Sequence, residues 1–368
     1  MGESGITNSR RSILHKLHRL VYGALALVLA TMAFAATATF KDPLDVPAMM
    51  LKRQITSMQM QTVTRAGERL VAVGIRGLVI VSDDGGKQWK QSGAPVSSDL
   101  LDVHFPTAKD GWAVGHDGVV LHTKDGGNTW EKQFDGRMAR KLLTEHFQSL
   151  IDSGNAEAQR YLQDAQLSYA DGTEQALHGV WFRDALHGFV CGTFGTLFAT
   201  NDGGATWESW VEKVDVDIPP HFYAIRGTQQ GVMMTSEKGI VFRLDPDKQR
   251  FVAMPTGYTG TFFTLLETGD AVFVGGLRGN VYRLKGKDAK WEKAETGASS
   301  TITASAALPD GGVLLTTLTG QLLITRDGGN HFEVVKVEHP MSYAGIVAAT
   351  AGTAVVAGSA GISLIPLK

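Results

Sequence analysis

One cysteine, Cys191, occurs in 368 residues, which excludes an intrachain disulfide and a thiolate metal cluster. Neither sign of charge dominates. The formal net charge is −2, whereas nucleic-acid binding requires a concentrated basic surface. Global disorder is excluded too, because 43% of the residues are apolar and 20% charged. After residue 40 no apolar run is long enough to span a bilayer, so the remainder is expected to be soluble. Glycine, in contrast, is abundant at 43 residues, and that points to many turns.

The first forty residues differ in kind. A basic stretch containing Arg10-Arg11-Ser12-Ile13-Leu14 ends at Arg19, and Leu20 to Phe40 carries no charge. Small residues then recur as Ala33-Phe34-Ala35 and Ala36-Thr37-Ala38. A positive segment, an apolar segment and an A-x-A site read as an export signal over 1–38, cleaved on export to the periplasm. The twin arginine followed by Ile-Leu resembles the twin-arginine export motif, with His15 in place of lysine. An uncleaved anchor is the alternative. A lead-in, 39–54, follows.

The octet "SDDGGKQW" contains Ser82, Asp84, Gly86 and Trp89 and looks at first like a catalytic or metal loop. It recurs with Thr123, Asp125, Gly127 and Trp130, with Thr200, Asp202, Gly204 and Trp207, and with Thr325, Asp327, Gly329 and Phe332. The shared pattern is [S/T]-x-D-x-G-x-x-[W/F]. Calcium loops cluster five or more oxygens in one segment, whereas each octet offers one shared aspartate. The expected role is therefore structural. Asp caps turn amides, Gly takes a left-handed conformation, Ser or Thr closes the hairpin, and the aromatic packs between sheets. Two further segments, 243–251 and 283–291, keep the place and the terminal aromatic without the full octet.

A second marker, a small residue, two variable ones and glycine between β-like runs, appears at 74–77, 115–118, 192–195, 236–239, 276–279, 317–320 and 358–361. Units of about forty residues with four short strands each are the signature of propeller blades. The fold expected over 55–368 is all-β, a seven-bladed β-propeller. The last unit ends without an outer strand, and residues 55–63 are expected to supply it and close the ring. Between blades two and three, residues 135–177 break the period. Leu142, Leu143, Phe147, Leu150 and Ile151 have helical spacing, Ser153-Gly154-Asn155 stops them, and a second helix is expected over 156–167. This is an inserted helical hairpin whose apolar face either packs on the ring or meets a partner.

The octet resembles the Asp-box of BNR-type repeats, found in sialidases and in non-enzymatic propellers. From residue 41 onward, including the "DPLDVPA" lead-in at 42–48, the chain resembles the photosystem II stability/assembly factor family, and its helical insertion resembles that of the family's bacterial members. The resemblance implies an exported, non-catalytic seven-bladed propeller that helps assemble or stabilise a membrane protein complex. The client would be a photosystem component or, in non-photosynthetic bacteria, an exporter of the resistance-nodulation-division class. It implies no cofactor.

Arg76, Lys238 and Arg278 occupy the same place in the small-x-x-Gly turn of three units. Strand alternation puts these turns at one end of the ring, together with the blade connections and the insertion, and puts the Asp-boxes at the other. The three cations are a candidate site for an acidic partner, and the family's arginine patches imply client binding at Arg76 and Arg278. Solvated turn residues are the plainer alternative. His116-Asp117 takes the equivalent turn but has no nucleophile beside it. The competing function is a glycan-binding or sialidase-like hydrolase. That chemistry needs three arginines on the substrate carboxylate and a tyrosine–glutamate nucleophile. Arg53, Arg65, Arg69 and Arg76 lack the Arg-Ile-Pro context, and Tyr223, Tyr258, Tyr282 and Tyr343 have no motif-paired glutamate. Met49, Met50, Met58 and Met60 lack a neighbouring histidine or cysteine, so they read as packing residues and no metal is expected.

Overall fold

The computed structural model describes residues 41–170, 172, 175–286 and 289–367; the expected export signal at 1–38 lies outside the described residues. Seven antiparallel sheets follow one another along the chain, six of four strands and the last of three. They span 60–92, 100–134, 177–209, 222–255, 262–294, 302–335 and 343–366, and form blades 1 to 7 of the expected ring. Within each blade the strands pair in sequence order, as successive hairpins must.

The first strand of each blade is innermost, and residues from all seven line one central channel of about 490 Å³. Second strands read as short unbroken apolar runs because both faces are covered. Gly111–Gly115, Ala271–Gly276 and Val313–Thr317 are buried at every position. Aromatics join neighbouring blades: Trp112 of blade 2 stacks on Phe182 of blade 3, with ring centroids 3.6 Å apart.

Ring closure departs from the expectation that 55–63 would complete the last blade. Met60–Ala66 pairs with Arg69–Gly74 as the innermost strand of blade 1, and Ile55–Ser57 is a single 3-10 turn. Blade 7 keeps three strands. The physical reason is local. A tight hairpin through Gly67, whose φ is 65°, costs far less loop-closure entropy than pairing with strands near residue 360. The ring closes instead between inner strands, where Arg65 donates from Nε to the carbonyl of Ala348 at 3.1 Å and from Nη2 to that of Ala349. The lead-in runs along the connection between blades 1 and 2: Ser97 N–H donates to Pro43 O at 2.8 Å and Ala48 N–H to Ala94 O at 3.0 Å.

The insertion is a pair of helices, α1 (Gly136–Asp152) and α2 (Ala158–Ser168). Asp135 caps α1 by accepting from Arg137 N at 3.0 Å and Met138 N at 3.3 Å. Leu143 and Phe147 of α1 and Leu162 of α2 pack with Phe134, Phe198 and Trp207 in one core cluster. Most of the apolar face therefore sits on blades 2 and 3. Among the described residues no helix is long and apolar enough to cross a membrane.

Candidate functional site

The four octets are closed hydrogen-bonded turns. In the first, Asp84 Oδ1 accepts from Ser82 Oγ at 2.9 Å, Lys87 N at 3.0 Å and Gln88 N at 2.9 Å. Gly86 N–H donates to Ser82 Oγ at 2.9 Å, and Trp89 Nε1–H donates to Gly86 O at 3.1 Å. The aspartate bonds recur around Asp125, Asp202 and Asp327, the last also receiving His331 Nδ1 at 2.6 Å, whereas the indole bond recurs only at Trp130. The Gln88 amide holds the Asp84 carboxyl below its usual value, and the His331 amide and ring do the same for Asp327. Blade 4, which lacks the octet, uses Asp245 in this role, accepting from Asp247 N at 3.0 Å and Lys248 N at 3.1 Å. These aspartates spend their oxygens on their own turns. Among the described residues no group of three or more His, Cys, Asp and Glu can hold a metal ion.

At the opposite end, the small-x-x-Gly segments form type I′ turns in five blades. Arg76, Asp117, Phe194, Lys238 and Arg278 have φ of 53°, 60°, 52°, 57° and 58°, and each following glycine is left-handed too. In blade 1, Leu78 N–H closes the turn onto Ile75 O at 3.0 Å. The small first residue is required because a Cβ on Gly74 would collide with the carbonyl of Gln59. Such a turn drives the residue before glycine out of the ring end, and Arg76, Phe194, Lys238 and Arg278 are all exposed.

The three cations are not one patch. Lys238 and Arg278 lie on adjacent blades 4 and 5, and the intervening connection puts Tyr258 between them. Its hydroxyl donates to Leu277 O at 2.9 Å, and a Cβ on Gly239 would meet its carbonyl. Arg76 is on blade 1, with two blades between it and either of the others. It also has an acid beside it, since Asp99 Oδ1 accepts from Arg76 N at 2.7 Å. None of the three side chains is in an ion pair among the described residues. Asp117 is tied back by Ser98 Oγ at 2.7 Å.

Phe194 was the missed residue. It sits in the register of Arg76 and Arg278, so the repeat itself carried the signal. A bulky side chain in the left-handed region is strained by about 1–3 kcal/mol, and Phe194 is 60% exposed. With Leu167 at the end of α2 and Ile218 of the next connection, exposed by 76% and 73%, it edges an apolar groove of about 590 Å³ between α2 and blade 3. His221 links the groove to the cations, lying edge-on to Phe194 with centroids 4.6 Å apart and donating its backbone N–H to Glu237 Oε2 at 3.1 Å. At the channel mouth, His178 stacks on Tyr223 at 5.1 Å and Tyr223 meets Phe263 edge-on at 4.9 Å. Burial lowers the His178 pKa, and nearby His221 and His116 push it the same way.

Two of the four arginines considered for a carboxylate clamp are engaged elsewhere: Arg69 pairs with Asp83 at 2.7 Å, and Arg65 holds the blade 7 carbonyls. Met60 is buried, whereas Met49 and Met50 are exposed by 70% and 57%. Cys191 is wholly buried, which pushes its thiol pKa up.

Residues 87–158 match the family model described as photosynthesis system II assembly factor YCF48. No curated protein matches the chain in sequence. Among solved structures, YCF48 bound to D1 peptide superposes with a TM-score of 0.62 at 17% identity, covering 90% of this chain and 99% of that one. YCF48 from Cyanidioschyzon merolae gives 0.60 at 15% identity, covering 84% and 95%. A streptogramin B lyase structure gives 0.64 at 10% identity, covering 89% and 100%. Likeness at these identities is likeness of fold.

Proposed function

We infer that this chain, a seven-bladed propeller of the photosystem II assembly factor-like family, is an accessory factor that holds a protein client of a membrane complex and performs no chemical step. The observation that carries this reading is the ring end itself. Among the described residues Lys238 and Arg278 stand exposed and outside any ion pair, beside Tyr258 and next to an apolar groove edged by a strained Phe194. Cations with an aromatic and an apolar groove favour an acidic, partly apolar peptide segment. A YCF48 structure described as bound to D1 peptide supports a client of that kind. The client is a photosystem component in a photosynthetic host and a resistance-nodulation-division exporter elsewhere. We further propose that 1–38 directs export to the periplasm; N-terminal sequencing of the mature protein beginning at residue 2 would overturn that step.

The test is Lys238→Glu with Arg278→Glu, followed by capture of membrane proteins from the native host. Reversing two rim charges on adjacent blades is expected to reduce capture about tenfold or more with little change in melting temperature. Arg76→Glu, across the ring and beside Asp99, is expected to do less. Unaltered capture by the double variant would overturn the site, and hydrolysis of sialosides by the purified chain would overturn the non-catalytic reading.

A further inference from the structure

Blade 7 is one strand short, and its last strand, Gly361–Pro366, is a sheet edge. In blades 1, 2, 3 and 6 every residue of the third strand is buried. In blade 7 the same strand leaves Ser363, Leu364 and Pro366 exposed. Beside it lies a slot of about 680 Å³, walled on one side by 363–366 and on the other by 335–339 of blade 6. In a complete neighbour this place is filled. The end of blade 1's outer strand forms a parallel bridge from Gly93 to Thr129, at the start of blade 2's outer strand. Val214 bridges Phe251 in the same way between blades 3 and 4, whereas among the described residues the stretches after the outer strands of blades 4, 5 and 6 form no such bridge.

The edge has its hydrogen-bonding groups turned outward. Leu367 N–H donates to Gly352 O at 2.8 Å, so Leu367 faces inward and alternation turns residues 366, 364 and 362 outward. Pro366, which has no N–H, stands where its nitrogen misses no bond to the neighbouring strand. The N–H and C=O groups of Ile362 and Leu364 therefore point away from the strand already paired, and Leu364 lines the slot.

We propose that this slot is a binding site for an extended strand supplied by another polypeptide, which completes the blade by β-augmentation. The chain's own outer strands say which chemistry fits: "WKQS" at 89–92, "WEKQF" at 130–134 and "FEVV" at 332–335 place an aromatic first and a small or apolar residue last. Thr56 closes one end, because its carbonyl lies against Gly361. This site is on the blade edge and is independent of Lys238 and Arg278.

The probe is a fluorescein-labelled peptide with the sequence of residues 331–337, HFEVVKV, titrated against the purified chain by fluorescence polarisation. Saturable binding is expected, with amide exchange at Ile362 and Leu364 slowed about tenfold or more when bound. Leu364→Pro removes one outward N–H without touching the inner ladder, and is expected to weaken binding about tenfold or more at unchanged melting temperature. A peptide with proline at its central valine is expected not to bind to the unaltered chain, which tests the idea without any protein variant. No saturable binding, equal affinity for the proline peptide, or a concentration-dependent dimer that protects the same two amides would each overturn the proposal.

Discussion

Asp102 is the residue whose removal the channel should tolerate least. From the inner strand of blade 2 it accepts Arg226 Nη1 at 3.0 Å and Nη2 at 3.2 Å from blade 4, and Val180 N at 3.1 Å from blade 3. Arg226 Nη1 also donates to Val180 O at 3.1 Å and Ile225 O at 2.8 Å. The carboxylate is 9% exposed and the guanidinium 32%, so channel water reaches only one partner well. Breaking a buried pair by removing one side costs about 3–5 kcal/mol. Arg226 keeps two carbonyls and some water, so Asp102→Ala is expected to cost about 2–3 kcal/mol, a share of it from the Val180 amide left bare. Removing both charges, as Asp102→Leu with Arg226→Met, is expected to cost about 1 kcal/mol, because no uncompensated charge is left behind. Urea denaturation of Asp102→Leu, Arg226→Met and the double variant completes the cycle. A single-variant cost below about 1 kcal/mol, or a double variant as unstable as the single, would refute the reasoning.

Two further perturbations read different parts of the molecule. His104 Nδ1 accepts from Phe182 N at 3.2 Å, and burial, reinforced by Arg226, lowers the His104 pKa from 6.5 to about 3. Between those values the unfolded chain binds a proton that the fold refuses. Stability is therefore present above 6.5 and lost as pH falls toward 3, at up to about 1.4 kcal/mol per pH unit. His104→Gln should flatten that slope in urea midpoints measured from neutral pH downward, and an equally steep slope in the variant would count against it. Phe194→Gly should relieve left-handed strain, leaving the melting temperature unchanged or raised by a degree or two, while capture of the client falls about tenfold; retained capture would remove Phe194 from the site.

Much of the molecule was legible because repetition averages over noise in any single unit. Read alone, Asp84 and Trp89 suggest chemistry; beside Asp125, Asp202 and Asp327 they are turn residues, and the hydrogen bonds are those a capping aspartate makes. The hairpin insertion was legible for another reason, since Leu143 and Phe147 change the apolar period from strand to helix. Ring closure was not. The stretch 55–63 has strand-like character, but which sheet it joins is a competition between a local hairpin and a distant edge, and composition does not record that.

The sequence by itself determined the number of blades, the strand order within them and the ends at which octets and cation-bearing turns emerge, because these follow from a period of about forty residues and from strand alternation. Only the tertiary structure decided what each end brings together. The ring curvature separates Arg76 from Lys238 and Arg278, although all three share one turn type. It seats Phe194 beside Leu167 and Ile218, which come from a helix and a connection with no common motif. It also leaves an open edge at Ile362 and Leu364, because the chain spends Met60–Ala66 inside blade 1. Local spacing sets each turn; closing the ring sets which turns are neighbours.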